Sequence, residues 1–310
     1  MSQNVKASVD TPDSFERRTR EIFHALHKQQ GENAQIFQRL TALLSPAYLQ
    51  VPEDFFHGKI CLDAGCGSNA NATYSMLQQG AARVYAFDLD DTIFETVPRH
   101  LQAFEGKYVL STDNVLQMRF ENNFFDVVHC SGVLHHTADL FAGLKELARV
   151  TKPGGLLYIM TYGKGGLIRD IVTYLRGKYQ QDQQFANFVD TLDAAFFTDL
   201  FQMILCSMQA HGDDLARQIS PEIMHTLFDE DLVLTIKDRI TAPAYHEHDA
   251  DELISALREY GFAEITRLTR YPEFTNIRRF LSPFYEQYDS EFAGLLYGSG
   301  SIQLKAVKRI

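Results

Sequence analysis

The sequence predicts an α/β fold in which a parallel sheet carries helices on both faces. Two observations predict it. From about residue 58, apolar runs of strand length alternate with helix-length segments, and connections this short imply βαβ units and a parallel sheet. Composition agrees: of 310 residues, 45% are hydrophobic and 22% charged, enough for one large domain of roughly 200–250 residues plus an elaboration.

Residues 1–10 read as a polar tail. Thr11-Pro12 then starts a helix, with Thr as N-cap and Pro at the first helical position, and Phe15, Ile22, Phe23 and Leu26 follow at helical spacing. Ile36, Phe37, Leu40, Leu43 and Leu44 form a second amphipathic set closed by Ser45-Pro46, so residues 1–50 read as a helical cap. The core, residues 51–163, has strand-like runs at Ile60–Leu62, Val84–Phe87, Tyr108–Leu110, Asp126–Cys130 and Leu156–Met160. Ala72–Gln79, Asp91–Phe104 and Ala138–Val150 lie between them as helices. After Tyr162 the alternation stops for roughly 80 residues, far beyond the usual loop of about 4–6. This insertion, residues 164–245, is helical by pattern. Leu167, Ile168, Ile171, Val172 and Leu175 form one stripe, Phe196, Phe197, Leu200, Phe201, Ile204 and Leu205 another, and Ser220-Pro221-Glu222 starts a third helix. Residues 246–310 complete the sheet through a helix at Asp249–Tyr260 and strands at Glu264–Leu268 and Ser301–Val307.

Charge and cysteine usage exclude several function classes. The formal net charge is −11, and the basic stretches Arg17-Arg18-Thr19-Arg20 and Lys305, Lys308 and Arg309 are too short to neutralise a run of phosphates. A nucleic-acid partner is not expected. The four cysteines, Cys61, Cys66, Cys130 and Cys206, have no C-x-x-C spacing, and three sit in or beside strand-like runs where a thiol packs as a small hydrophobe. A reducing compartment is the natural reading. The polar start lacks the apolar region of a secretory signal, and no stretch approaches the ~20 apolar residues of a membrane span. The expected location is cytoplasmic.

The most informative segment is Lys59-Ile60-Cys61-Leu62-Asp63-Ala64-Gly65-Cys66-Gly67-Ser68-Asn69-Ala70. A buried strand runs into an acid and then Gly-x-Gly before a helix, and such glycines let backbone N–H groups approach a ligand closely. The next strand ends in Asp88, 21 residues after Gly67, where a carboxylate can hold a ribose through its two hydroxyls. The third ends Ser111-Thr112-Asp113-Asn114. Three successive strands thus set carboxylates on one rim of the sheet, the rim at which open α/β sheets bind ligands.

With these residues in place the chain resembles the class I S-adenosylmethionine (SAM)-dependent methyltransferases, in the branch that acts on small molecules. Asp63-Ala64-Gly65-Cys66-Gly67 matches motif I, Asp88 the ribose acid, and Asp113-Asn114 the adenine-side pair. Phe125–His136 matches the fourth strand with its following loop, and Leu147–Gly155 the turn entering strand five. The likeness covers Lys59–Tyr162, and Asp249–Val307 more loosely. It implies a Rossmann-like class I methyltransferase sheet with N-terminal helices and a helical lid insertion. It also implies SAM as cofactor: Asp63 and the Gly65-Cys66-Gly67 backbone at the methionine part, Asp88 with Leu89 at the ribose, Asp113 and Asn114 at the adenine, and Ser131 on the fourth-strand rim. Asn69 stands where the family often has a third glycine. Asn tolerates left-handed backbone angles better than most residues, so the turn can survive. A dehydrogenase competes for such a unit, and Ala70 at the third position of G-x-G-x-x-G permits it; the strand-five signature favours SAM.

A sulfonium is already activated, so methyl transfer needs alignment, exclusion of water and, for a protonated nucleophile, a base. His136 and His135 follow strand four on the expected rim and can exchange protons near pH 7; adjacent residues diverge, so at most one faces the substrate. Tyr162, after strand five, is the third catalytic candidate, its bland alternative being a satisfied core-edge phenol. Tyr245, His246 and His248, in Tyr245-His246-Glu247-His248-Asp249, follow the insertion and are candidates for substrate contact. A metal pair at His246 and His248 lacks further ligands at chelating spacing, so no metal is expected, and Asp249 or Asp251 reads as the N-cap of the next helix. Phe197 and Phe201 could line a substrate pocket, pack the lid or form a homodimer interface, with packing the default. The expected reaction is methyl transfer to N or O of a small metabolite. Two alternatives stay open: a SAM-consuming elimination or cyclisation of the aminobutyrate chain, and a non-catalytic SAM-fold partner protein.

Overall fold

The computed structural model describes residues 44–191, 239–268 and 298–310 without a break, together with residues 17–20, 23, 37, 41, 203, 206–207, 209–212 and 295; the side chain of Ile168 lies outside this set. Seven strands form one sheet: β1 (Ile60–Ala64), β2 (Arg83–Asp88), β3 (Tyr108–Thr112), β4 (Phe125–Ser131), β5 (Thr151–Tyr162), β6 (Phe262–Arg267) and β7 (Ser301–Lys308). Their order is β3-β2-β1-β4-β5-β7-β6. The first five run parallel, whereas β7 enters antiparallel between β5 and β6. The helices described are the single turn α1 (Pro46–Leu49), then α2 (Asn71–Gln78), α3 (Ile93–His100), α4 (Leu140–Val150), α5 (Leu167–Gln181), α6 (Gln183–Thr191) and α7 (Ala250–Glu259). This is a Rossmann-like α/β sheet with one antiparallel strand.

Alternation along each strand sends successive side chains to opposite faces, and two hydrophobic cores result. One face packs Leu62, Val128, Leu157 and Ile159 against Leu144 and Leu147 of α4 and Leu253 and Leu257 of α7. The other packs Cys61, Val84, Val127 and Tyr158 against Met76 of α2, Val97 of α3 and Leu49 of α1. Cys61 and Cys130 are fully buried, and burial pushes both thiols up, so they serve as packing groups.

Several expected boundaries shift for local reasons. The segment Asp91–Phe104 divides into α3, which carries Pro98 inside it and ends two residues later, and a 3-10 turn at Gln102–Phe104. The expected turn at Leu147–Gly155 divides between the end of α4 and the start of β5: Thr151 already pairs with Phe125, and the register shifts before Val127 meets Leu156. The stripe on α5 is split, with Val172 buried while Leu167 and Ile171 are exposed. Asp249 holds the N-cap position of α7 without a side-chain cap bond; its carboxylate faces Lys164 Nζ at 3.3 Å. The helix starts expected at Thr11-Pro12 and Ser220-Pro221 lie outside the described residues. Among those described, no helix is long and apolar enough to cross a membrane.

Candidate functional site

The parallel strands all end at one rim, and a cavity of about 370 Å³ opens there, at the lower end of the range typical of small-ligand sites. Its floor is the bend after β1. Gly65 has φ +75°, and a Cβ on it would lie 2.2 Å from Val133 Cγ2, so only glycine lets this bend lie against the loop after β4. The Gly65 and Cys66 N–H groups both donate to the Phe87 carbonyl at 2.9 Å, which ties the bend to β2. The third unusual backbone position is Ala70, at φ 45°, not Asn69. Asn69 keeps an ordinary negative φ and is buried, so the left-handed step falls one residue later than expected.

The three expected rim acids take different roles. Asp88 lines the cavity; one oxygen accepts from Gly67 N–H at 2.9 Å and the other from Asp90 N–H at 3.2 Å. An ionised carboxylate has about four acceptor positions, so capacity for further donors remains. Asp113 and Asn114 line the same cavity, Asp113 accepting from the Asn114 and Arg119 N–H groups at 2.9 and 3.3 Å. Asp63 points elsewhere. Buried beneath the bend, its carboxylate takes the Thr73 N–H at 3.0 Å, the Thr73 hydroxyl at 2.7 Å and His129 Nδ1 at 3.0 Å. It fixes the start of α2 to β1 and β4, while Gly65, Leu89 and Ser131 line the cavity. Cys66 and Gly67 meet it only through the bend.

The two adjacent histidines lie ring to ring, with centroids 4.2 Å apart, but only one of them lines the cavity. His136 lines the cavity, and its Nδ1 lies 3.0 Å from the Ala244 carbonyl. A carbonyl only accepts, so Nδ1–H donates to it. His135 is wholly buried and stacked on Tyr162, with centroids 3.7 Å apart; burial first, then His136, Arg169, Arg239 and His246, hold its pKa well below the ordinary value. Tyr162 is buried. The segment after the insertion docks on the end of β5: His246 N–H donates to the His135 carbonyl at 2.9 Å and His248 N–H to the Tyr162 carbonyl at 3.1 Å. Tyr245 packs on Tyr162, and the His248 ring meets Glu252 and Phe141. Phe197 and Phe201 lie outside the described residues. Among the described residues no group of three or more His, Cys, Asp or Glu is placed to hold a metal.

Sequence reasoning missed several lining residues, Asp90 and three from the N-terminal cap among them. Thr19, Arg20 and Phe23 reach the cavity from the N-terminal cap, and the Phe23 ring lies 4.9 Å from that of His136. Asp90 is buried and lines the cavity two positions beyond Asp88. The i,i+2 spacing was visible in Asp88-Leu89-Asp90; the reach of the cap was not.

Comparison with known proteins agrees with this geometry. Residues 62–159 match the family model described as methyltransferase domain. This stretch is a methyltransferase domain. The chain is 32% identical over 103 residues to a demethylmenaquinone methyltransferase of Bacillus mycoides, covering 32% of this chain and 42% of that protein. It is 30% identical over 118 residues to a ubiquinone biosynthesis O-methyltransferase of Neisseria meningitidis, covering 34% and 45%. The match thus spans less than half the length of these curated relatives. In fold, the chain is similar to a Burkholderia thailandensis 1,6-didemethyltoxoflavin-N1-methyltransferase solved with 1,6-didemethyltoxoflavin and S-adenosylhomocysteine, with TM-score 0.51 and 15% identity over 94% of that chain and 99% of this one. It is similar also to the putative methyltransferase of a Haloferax volcanii Trm112 complex, with TM-score 0.51 and 15% identity over 98% of that chain and 94% of this one.

Proposed function

We propose that the chain is a SAM-dependent methyltransferase that delivers a methyl group to N or O of a small molecule. One observation carries the reading: a glycine bend too tight for any Cβ opens on a cavity walled by Asp88 and Asp113, the tips of β2 and β3. The bend offers backbone to a ligand, Asp88 has acceptor capacity for the two hydroxyls of a ribose, and Asp113-Asn114 can meet an adenine edge. The matched domain and the methyltransferase names of the relatives support the same conclusion.

When bound, SAM supplies a methyl group already activated on a sulfonium. The chain's own tasks are then to orient the acceptor, exclude water and take its proton. We assign that proton to His136, whose ring lines the cavity and is held through Nδ1 by the Ala244 carbonyl. Thr19, Arg20 and Phe23 form the part of the wall that the N-terminal cap provides, and with the insertion we assign them to the lid.

Calorimetry with S-adenosylhomocysteine tests the reading directly. Wild-type protein should bind it, and Asp88→Ala should weaken binding by roughly 10-fold or more, the worth of hydrogen bonds to a charged group. Heat with NAD in place of S-adenosylhomocysteine, or an Asp88→Ala variant of unchanged affinity, would refute it.

A further inference from the structure

Next to the cavity lies a cluster that the cofactor reading leaves unused. The Tyr162 ring, at the end of β5, carries His135 stacked on it, and two guanidiniums stand over the same ring, Arg169 at 4.8 Å and Arg239 at 4.9 Å from its centroid. Tyr245 lies 5.4 Å from Tyr162 and has Arg176 at 5.1 Å. Cations from α5 and from the end of the insertion therefore converge on two tyrosines, in a chain whose formal charge is −11.

Arg169 is the unusual member. It is 6% exposed, and its two terminal nitrogens donate to the Tyr245 hydroxyl at 2.6 Å and the Gly300 carbonyl at 3.1 Å. Both acceptors are neutral, since burial, only partly offset by Arg169 itself, pushes the Tyr245 phenol up to about 12. Among the described residues no ion pair joins Arg169 to a carboxylate. Glu247 is the acid beside the Tyr245 phenol, and its own Oε1 is buried without a partner. A guanidinium is desolvated at considerable cost unless a counter-charge meets it. His135 shows a second deficit. It is fully buried, and neither ring nitrogen has a hydrogen-bond partner, although a neutral imidazole has one donor and one acceptor to satisfy.

An unneutralised cation and an unmet N–H donor gathered about one ring describe a missing oxyanion. We propose that the Arg169–Tyr162–His135 cluster is the acceptor subsite and takes an acceptor bearing an anionic oxygen group, a carboxylate or a phosphate. The inference rests on the methyltransferase reading, because His136 joins the two places: it lines the cavity, and its ring lies 4.2 Å from that of His135 and 5.7 Å from that of Tyr162. The anionic group is held at the cluster while the accepting atom stays beside His136.

The test is calorimetry on protein saturated with S-adenosylhomocysteine, using benzoate, phenyl phosphate and neutral benzamide as probes. One of the two anions should bind at least ~10-fold more tightly than benzamide, the scale of a charge-assisted contact, and whichever binds more tightly names the group. Arg169→Gln should lower that affinity by roughly 10-fold or more while S-adenosylhomocysteine binds within about 2-fold of wild type. Should that variant fail to fold, Arg239→Gln makes the same test at the same ring. Equal binding of benzoate, phenyl phosphate and benzamide, or anion affinity unchanged in the folded variant, overturns the subsite. If S-adenosylhomocysteine itself does not bind, the methyltransferase reading falls, and the same titrations without it still decide whether the cluster binds anions.

Discussion

His135 shows how a single residue departs from the role its position suggests. On the sequence it shares catalytic candidacy with His136, yet the two rings face different surroundings, and only His136 lines the cavity. Burial keeps His135 neutral in the folded chain, whereas in the unfolded chain it takes a proton near pH 6.5. A histidine whose folded pKa is depressed leaves the unfolded state binding more protons, so its contribution to stability is complete above about pH 6.5 and is lost as pH falls below it. The loss approaches about 1.4 kcal/mol per pH unit until the folded pKa is reached. His135→Phe should remove that share of the slope, measured as the difference between wild-type and variant unfolding free energies from pH 7.5 to 5; parallel curves would show that His135 does not titrate on unfolding. His100 and His246 are also held low, burial first in each case, so only the difference between the two proteins isolates His135. The burial of His135 could not be read from Leu134-His135-His136, because it depends on Tyr162 and on a segment about 110 residues away. The Gly65 bend could, since a buried strand running into Gly-x-Gly specifies it locally.

At the scale of elements, the strands and crossover helices were legible because apolar periodicity is a local property. The ties that aim their loops were not. Arg149 shows this best. Within the resemblance it belongs to the turn entering β5, but its guanidinium grips both Glu146 oxygens at 2.7 Å and donates to the Phe120 and Met118 carbonyls at 2.7 and 2.9 Å. Glu146 in turn accepts from Met118 N–H at 2.9 Å, and the Arg149 hydrogen bond holds its pKa low. The last turn of α4 thereby clamps the loop that follows β3, the loop that starts with Asp113 and Asn114. Arg149→Met should cost about 1–3 kcal/mol, discounted for partial exposure, and should weaken S-adenosylhomocysteine binding without touching the cavity. Chemical denaturation and calorimetry on the same variant measure both; a loss of stability alone would separate the clamp from the site.

At the scale of the whole molecule, the described residues stack helices on both faces of the sheet, and the far edge of that sheet depends on its last strand. The sequence showed that two strands follow the insertion, but gave no sign that β7 would run antiparallel, because strand order is decided by pairing between distant segments. β7 sits between β5 and β6, and Lys308 Nζ donates to the Ala148 and Thr151 carbonyls at 2.7 Å, joining it to the α4–β5 junction. A chain shortened after Gly300 should lose cooperative unfolding and self-associate through the bared β5 edge, seen by circular-dichroism melting and size-exclusion chromatography. A sharp melt from a monomer would show that the first five strands suffice. The same placement orders events in time. Tyr158 and Gln303, whose side chains bond across β5 and β7, are 145 positions apart, and closing so long a loop is slow. Among the described strands β6 pairs only with β7, so it joins the sheet no earlier than β7 does; the refolding trace should end in a late phase in which two strands arrive together.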